Sequence, residues 1–184
     1  MFTQAGLFLL DALVGFFTFA LLLRFYMQAF RVSFRNQVGA FVVQLTNGLV
    51  MPLRKVLPGL FGLDLASLLL AYALQALWLF ARNSVTFGLD QVLSSWPIVV
   101  FWGALLATLR ISLLMLIGAL ILQAVLSWVS PYSPLATPLA QFTRPFTDPI
   151  RRFVPPIAGV DLSLLIALLL AQALLFFVVP VSLG

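Results

Sequence analysis

The sequence predicts an all-α membrane protein, with about four transmembrane helices in two parallel helix–interfacial element–helix repeats. Three observations predict it. The 184 residues are 63% hydrophobic and 8% charged, whereas soluble domains carry about 25% charged residues. The apolar residues fall in runs long enough to cross a hydrocarbon core of ~30 Å. The segment P52-L-R-K-V-L-P-G-L-F-G-L-D64 is written again, 97 residues later, as P149-I-R-R-F-V-P-P-I-A-G-V-D161. The chain reads as one membrane domain, 1–184, with repeat one over about 7–81 and repeat two over about 98–180.

The first span is expected from Leu7 to Phe30. The start of the chain, M1-F-T-Q-A-G-L7, carries no Lys or Arg, so this segment reads as a retained helix rather than a cleaved leader. Asp11 and Arg24 stand thirteen residues apart on it. That is about 20 Å along a helix axis, too far for a direct pair. Arg24 is therefore expected to reach for the nearer interface.

The second span is expected from Leu65 to Phe80, capped by Asp64 and ended by Arg82 and Asn83. A polar patch follows, from Arg82 to Ser95. The chain is then apolar from Ile98 to Val129 except for Arg110. An Arg at a bilayer centre is costly, so the third span is read as Ile111–Val129 with Arg110 at its outer boundary. Ile98–Leu109 then lies in the interface or extends the helix beyond it. Trp96, Trp102 and Trp128 suit interfacial anchoring. The fourth span runs from Leu162 to Val179, with Asp161 as its cap and Pro180 after its end.

Basic residues give an orientation. Arg31, Arg35, Arg54 and Lys55 follow span one, and Arg144, Arg151 and Arg152 follow span three. The connection after span two carries only Arg82, opposed by Asp90. Positive charge marks the cytoplasmic side. The basic loops are expected in the cytoplasm of a bacterial inner membrane, with both termini outward.

Aligned at an offset of 97, residues 44–80 and 141–177 are identical at 13 of 37 positions. The identities fall at Gln, Thr, Pro, Arg, Gly and Asp as well as at Leu, which supports a duplication rather than shared greasiness. Two spans per unit return the chain to its starting side, so the halves are parallel repeats about an axis along the membrane normal. The common pattern is P-x-R-[KR]-x2-P-x3-G-x-D. Pro52 and Pro149 each start a short helical turn, and Pro58 and Pro155 end it. Gly62 and Gly159 relax the corner. Asp64 and Asp161 then cap the next transmembrane helix.

Each corner follows an amphipathic stretch. In the second half, Gln141, Arg144, Asp148, Arg151 and Arg152 share one helical face, while Phe142, Phe146, Ile150 and Phe153 share the other. That suits an element lying in the interface. Pro145 and Pro149 predict two short pieces instead of one helix. Gln37, Gln44, Asn47, Arg54 and Lys55 repeat the arrangement more weakly in the first half.

At these residues the chain resembles the YggT family of small bacterial membrane proteins, with relatives in plastids and the Gram-positive YlmG proteins. The doubled P-[LI]-R-[KR]-x-[LV]-P corner followed by G-[LV]-D carries the likeness, together with L-L-R-F-Y-M at 22–27 and L-S-W-V at 126–129. It covers nearly the whole chain. It departs at Asn47-Gly48, where the second half has Arg144-Pro145. The resemblance implies tolerance of osmotic stress, a part in cell division or nucleoid arrangement, or assembly of membrane complexes. It implies no reaction.

The residues themselves point away from catalysis. The chain has no His and no Cys, and its five acidic residues are all Asp. Disulfides, the usual zinc and haem ligand sets, and Ser–His or Cys–His nucleophiles cannot be built. No catalytic residue, metal or cofactor is expected, and no nucleic acid, since the +5 net charge sits between apolar runs. Arg54, Lys55, Arg144, Arg151 and Arg152 are the expected binding groups, for anionic lipid headgroups, a membrane-protein partner or a homo-oligomer. The expectation is a scaffold or assembly factor. The alternative is a small oligomeric channel or transporter, for which Arg24 and the equivalent mid-span Gln75 and Gln172 are the intramembrane polar candidates.

Overall fold

The computed structural model describes residues 2–55, 62–154 and 161–182. Pro58, Pro155 and Gly159 lie outside the described residues. The described residues are mostly helical: α1 (Phe2–Ala29), α2 (Gln37–Arg54), α3 (Leu65–Phe87), α4 (Leu89–Trp96), a π-helical segment (Pro97–Trp102), α5 (Gly103–Val129), α6 (Ala136–Arg151) and α7 (Leu162–Ser182). α1, α3 and α5 are long and apolar enough to cross a membrane, and α7 has a shorter apolar stretch, Leu162–Val178. The protein is an all-α membrane protein.

α1 and α3 run in opposite directions. Arg24, near the end of α1, bonds Asp64 at the start of α3, while Asp11, near the start of α1, bonds Trp78 far along α3. α5 is central and packs on α1, α3, α6 and α7; α3 lies between α1 and α5. The core is thin. Leu21, Leu22, Val50, Ala66, Ala71 and Met115 form one cluster, and Leu116, Leu120, Ala167 and Ala171 join α5 to α7. Large apolar side chains such as Phe8, Leu77 and Phe176 face outward, as a lipid-solvated surface requires.

Several boundaries differ from the expectation. α3 runs through Arg82 and Asn83 to Phe87. The hydroxyls of Ser84 and Thr86 bond the carbonyls of Phe80 and Arg82 one turn back, so these polar residues do not break the helix. Gly88, at φ +89°, ends it. α5 begins at Gly103, so Arg110 is eight positions along a continuous helix and not at its boundary. Only Ile98–Trp102 of the doubtful stretch stand apart from α5, in the π-helical segment. α6 is one helix despite Pro145 and Pro149. Both prolines are exposed, as is Gln141, so the carbonyls they leave unbonded at Gln141 and Pro145 lie on the open side. α7 continues through Pro180.

The first corner is tightly built. α1 ends with Arg31 in the left-handed region, φ 57°. The Val32 N–H reaches the Met27 carbonyl at 2.8 Å and the Arg31 N–H reaches that of Gln28 at 3.2 Å, the Schellman arrangement. Asn36 then caps α2, accepting from the Gly39 N–H at 2.7 Å.

Candidate functional site

The two corners hold the charge. In the first, the Asp64 carboxylate takes two arginines. Arg24 Nε donates to Oδ2 at 3.2 Å, Arg54 Nη2 to Oδ2 at 2.6 Å and Arg54 Nε to Oδ1 at 3.2 Å. Ser67 Oγ adds a bond at 2.7 Å, and the Ser67 N–H completes the cap at 3.4 Å. The Asp64 and Arg24 side chains are 1% and 5% exposed, and Arg54 is 41% exposed. Arg24 Nη1 also donates to Thr46 Oγ1 at 2.7 Å and Asn47 Oδ1 at 2.9 Å. Arg24 therefore does not reach for the interface. A ready-made set of acceptors on α2 and α3 holds it inside the protein, at the end where the spanning helices turn.

The second corner repeats part of this. Arg151 bonds Asp161, ten residues on as in the first corner, through Nε at 2.9 Å and through Nη2. The Ser163 hydroxyl and its N–H also bond Asp161. The position matching Arg24 is Ile121, so the second corner holds one arginine on its capping carboxylate where the first holds two. Thr143, the match of Thr46, meets Gln123 instead. α2 and α6 end at Arg54 and Arg151, and α3 and α7 begin at Leu65 and Leu162, each pair 97 apart.

Burial would push the Asp64 carboxyl up. Hydrogen bonds from Arg54 and Ser67, with the charges of Arg54 and Arg24, outweigh it and hold the group below the ordinary carboxylate value. At Asp161 burial is again outweighed, by Arg151 and Ser163. Both capping carboxylates are therefore ionised anchors for arginine.

The expected binding residues divide accordingly. Arg54 and Arg151 turn onto Asp64 and Asp161. Arg144 is exposed and pairs with Asp148 at 2.8 Å, an i,i+4 contact on the surface of α6. Lys55 and Arg152, with Arg31 and Arg35 of the α1–α2 corner, are exposed and have no ion-pair partner among the described residues. Arg31 keeps a left-handed backbone that glycine adopts without strain.

A polar seam runs between α1 and α3. Asp11 accepts from Trp78 Nε1 at 2.6 Å, and Gln75 Nε2 donates to Thr18 Oγ1 at 3.0 Å. With Arg24–Asp64 it spans the length of the helix pair. The partners of Gln75 and Trp78 escaped the sequence reading. The signal was the seven-residue step from Asp11 to Thr18, two turns along one helical face. Gln172, the match of Gln75, is exposed. Gly62 turns the corner at φ +79°, and its carbonyl accepts from Gln28 at 2.9 Å. Pro52 lies inside α2 and Pro149 inside α6, each near the helix end rather than starting a separate turn.

The corner geometry coincides with a sequence match. The CCB3/YggT family matches residues 3–85 and 102–182. The chain belongs to the CCB3/YggT family. It is 38% identical over 164 residues to a protein of Escherichia coli strain K12 described as "Uncharacterized protein YggT", covering 89% of this chain and 83% of that one. A Vibrio alginolyticus protein, "Uncharacterized protein in proC 3'region", is 36% identical over 166 residues, covering 86% and 85% of the two chains. A Pseudomonas aeruginosa relative is 33% identical over 168 residues, covering 90% and 83%. No solved structure matches. The CCB3/YggT matches name no reaction.

Proposed function

We propose that this chain is a non-enzymatic scaffold or assembly factor of the bacterial inner membrane, presenting a basic face to anionic headgroups or to an acidic partner. One observation carries the reading. The arginines that recur in both halves are neutralised by aspartates, whereas Arg31, Arg35, Lys55 and Arg152 are exposed and have no ion-pair partner among the described residues. Each such residue near an anionic surface is worth about 1 kcal/mol. An apolar groove of about 270 Å³, lined by Phe19, Leu23, Met27, Gly118 and Phe142, also includes Val32 and Asn36 of the corner that carries Arg31 and Arg35. It suits the acyl chain of a lipid whose phosphate meets those arginines.

The basic loops belong on the cytoplasmic side and the termini outside, on the positive-inside rule. A Cys introduced at Ser84 is then expected to label with an impermeant thiol reagent in intact cells, while Ser33→Cys and Ser133→Cys stay protected. Labelling at Ser33 but not Ser84 inverts the topology.

The channel alternative draws on the polar seam. Its groups, however, are paired across α1 and α3, and Thr18 is fully buried. Such pairs fasten helices, at about 0.6–2 kcal/mol each. Purification in mild detergent tests the choice. A stoichiometric membrane partner or bound anionic lipid supports the scaffold; ion flux from the pure protein in liposomes supports the channel instead.

A further inference from the structure

Gln172 stands at the centre of α7, ten residues from Leu162 and ten from Ser182. Its side chain is exposed and makes no hydrogen bond among the described residues. Gln75, its match in the first half, is 5% exposed and bonded to Thr18. The difference has a cause. Thr18 is matched by Met115, which offers no comparable acceptor. α3 is also covered by α1 and α5, whereas among the described residues α7 packs chiefly on α5 and α6. An unpaired amide in the middle of a hydrocarbon layer is expensive, and a partner from outside the chain removes the cost.

The surroundings of Gln172 indicate which partner. Leu165, Leu169 and Phe176 are exposed at 53%, 56% and 73%. With Gln172 they step by four, three and four residues, the spacing of a coiled-coil seam. The apolar members alone would suit lipid equally well; the glutamine does not. A carboxamide carries donors and an acceptor on one group. Two copies of Gln172 facing each other across a two-fold axis therefore satisfy one another, as an isologous interface requires. We propose that α7 pairs with α7 of a second copy along Leu165, Leu169, Gln172 and Phe176. The proposal rests on the membrane fold and not on the scaffold reading.

The chain has no cysteine, so a single introduced Cys can form a disulfide only with another chain. Full-length Leu165→Cys, Leu169→Cys and Phe176→Cys, oxidised in native membranes, are expected to give a covalent species of twice the monomer mass. Leu170→Cys is equally exposed, at 55%, but lies off the seam, and is expected to give at most about a tenth of that yield. Adding Gln172→Leu to Leu169→Cys should lower the yield about threefold or more, whereas Gln172→Asn should keep most of it. A lipid-facing Leu preserves insertion, so the comparison is made at equal monomer level. The proposal is overturned by no dimer at the seam, by equal yields at Leu170, by a cross-link to a protein of another mass, or by a yield that ignores Gln172→Leu.

Discussion

Asp64→Asn is expected to cost about 3–5 kcal/mol, because it removes one partner of a buried ion pair and leaves the other charged. As a plain helix cap the position would accept Asn freely, since Asn and Asp cap about equally well. The Asp64 carboxylate does more. It holds Arg24, whose side chain is 5% exposed, and Arg54. Asp161→Asn is expected to cost far less, about 0–1 kcal/mol, because Arg151 is 44% exposed and remains solvated without its partner. Melting of the purified variants in detergent reads both. Arg24→Leu added to Asp64→Asn should recover most of the loss, since removing both members of a buried pair is often nearly neutral. If the two losses simply add, the buried pair is not the cause.

Acid extends the same prediction. Both capping carboxyls are held below the ordinary value in the fold. A depressed folded value contributes stability that is fully present above the unfolded value of about 4. It is lost as pH falls through the lower folded value. Acid should therefore loosen both corners, and Asp64→Asn should remove the part due to the first.

Gly39→Ala is expected to cost about 1–3 kcal/mol, the range for forcing atoms into a filled site. A Cβ there would lie 2.6 Å from the Phe34 Cα and 2.8 Å from its carbonyl oxygen. Both are backbone atoms, so the α1–α2 corner must move. Gly48 lies in the same helix with nothing within 4 Å of its added Cβ. Gly48→Ala should be neutral or should stabilise by up to about 1 kcal/mol through helix propensity. Equal effects at the two glycines would dismiss the close approach.

The helices were legible because lipid solvation forces long apolar runs, and the capping aspartates because a cap is local. The Arg54–Asp64 and Arg151–Asp161 pairs were half legible. The pattern aligned the residues, but an Arg and an Asp ten residues apart meet only if the intervening corner folds back. Arg24 was misread for a plainer reason. Its acceptors, Thr46, Asn47 and Asp64, come from two other helices, and a single-helix reading offers it only the interface. The proline pair in α6 was misjudged because the penalty depends on which side of the helix the freed carbonyls face. The unequal halves were visible as Arg24 against Ile121, although only the packing gives that substitution its meaning.

The division between anchoring and free cations is the central claim, and lipid retention tests it most directly. Protein extracted from native membranes is compared by native mass spectrometry and by melting, after insertion is checked. One variant carries Arg31→Gln, Arg35→Gln, Lys55→Gln and Arg152→Gln; the other carries Arg54→Gln and Arg151→Gln. The first is expected to lose most of its bound anionic lipid at a nearly unchanged melting point. The second is expected to melt earlier, because it takes Arg151 from Asp161 and leaves Asp64 with Arg24 alone. A first variant that melts normally and keeps the full complement of anionic lipid would contradict the account.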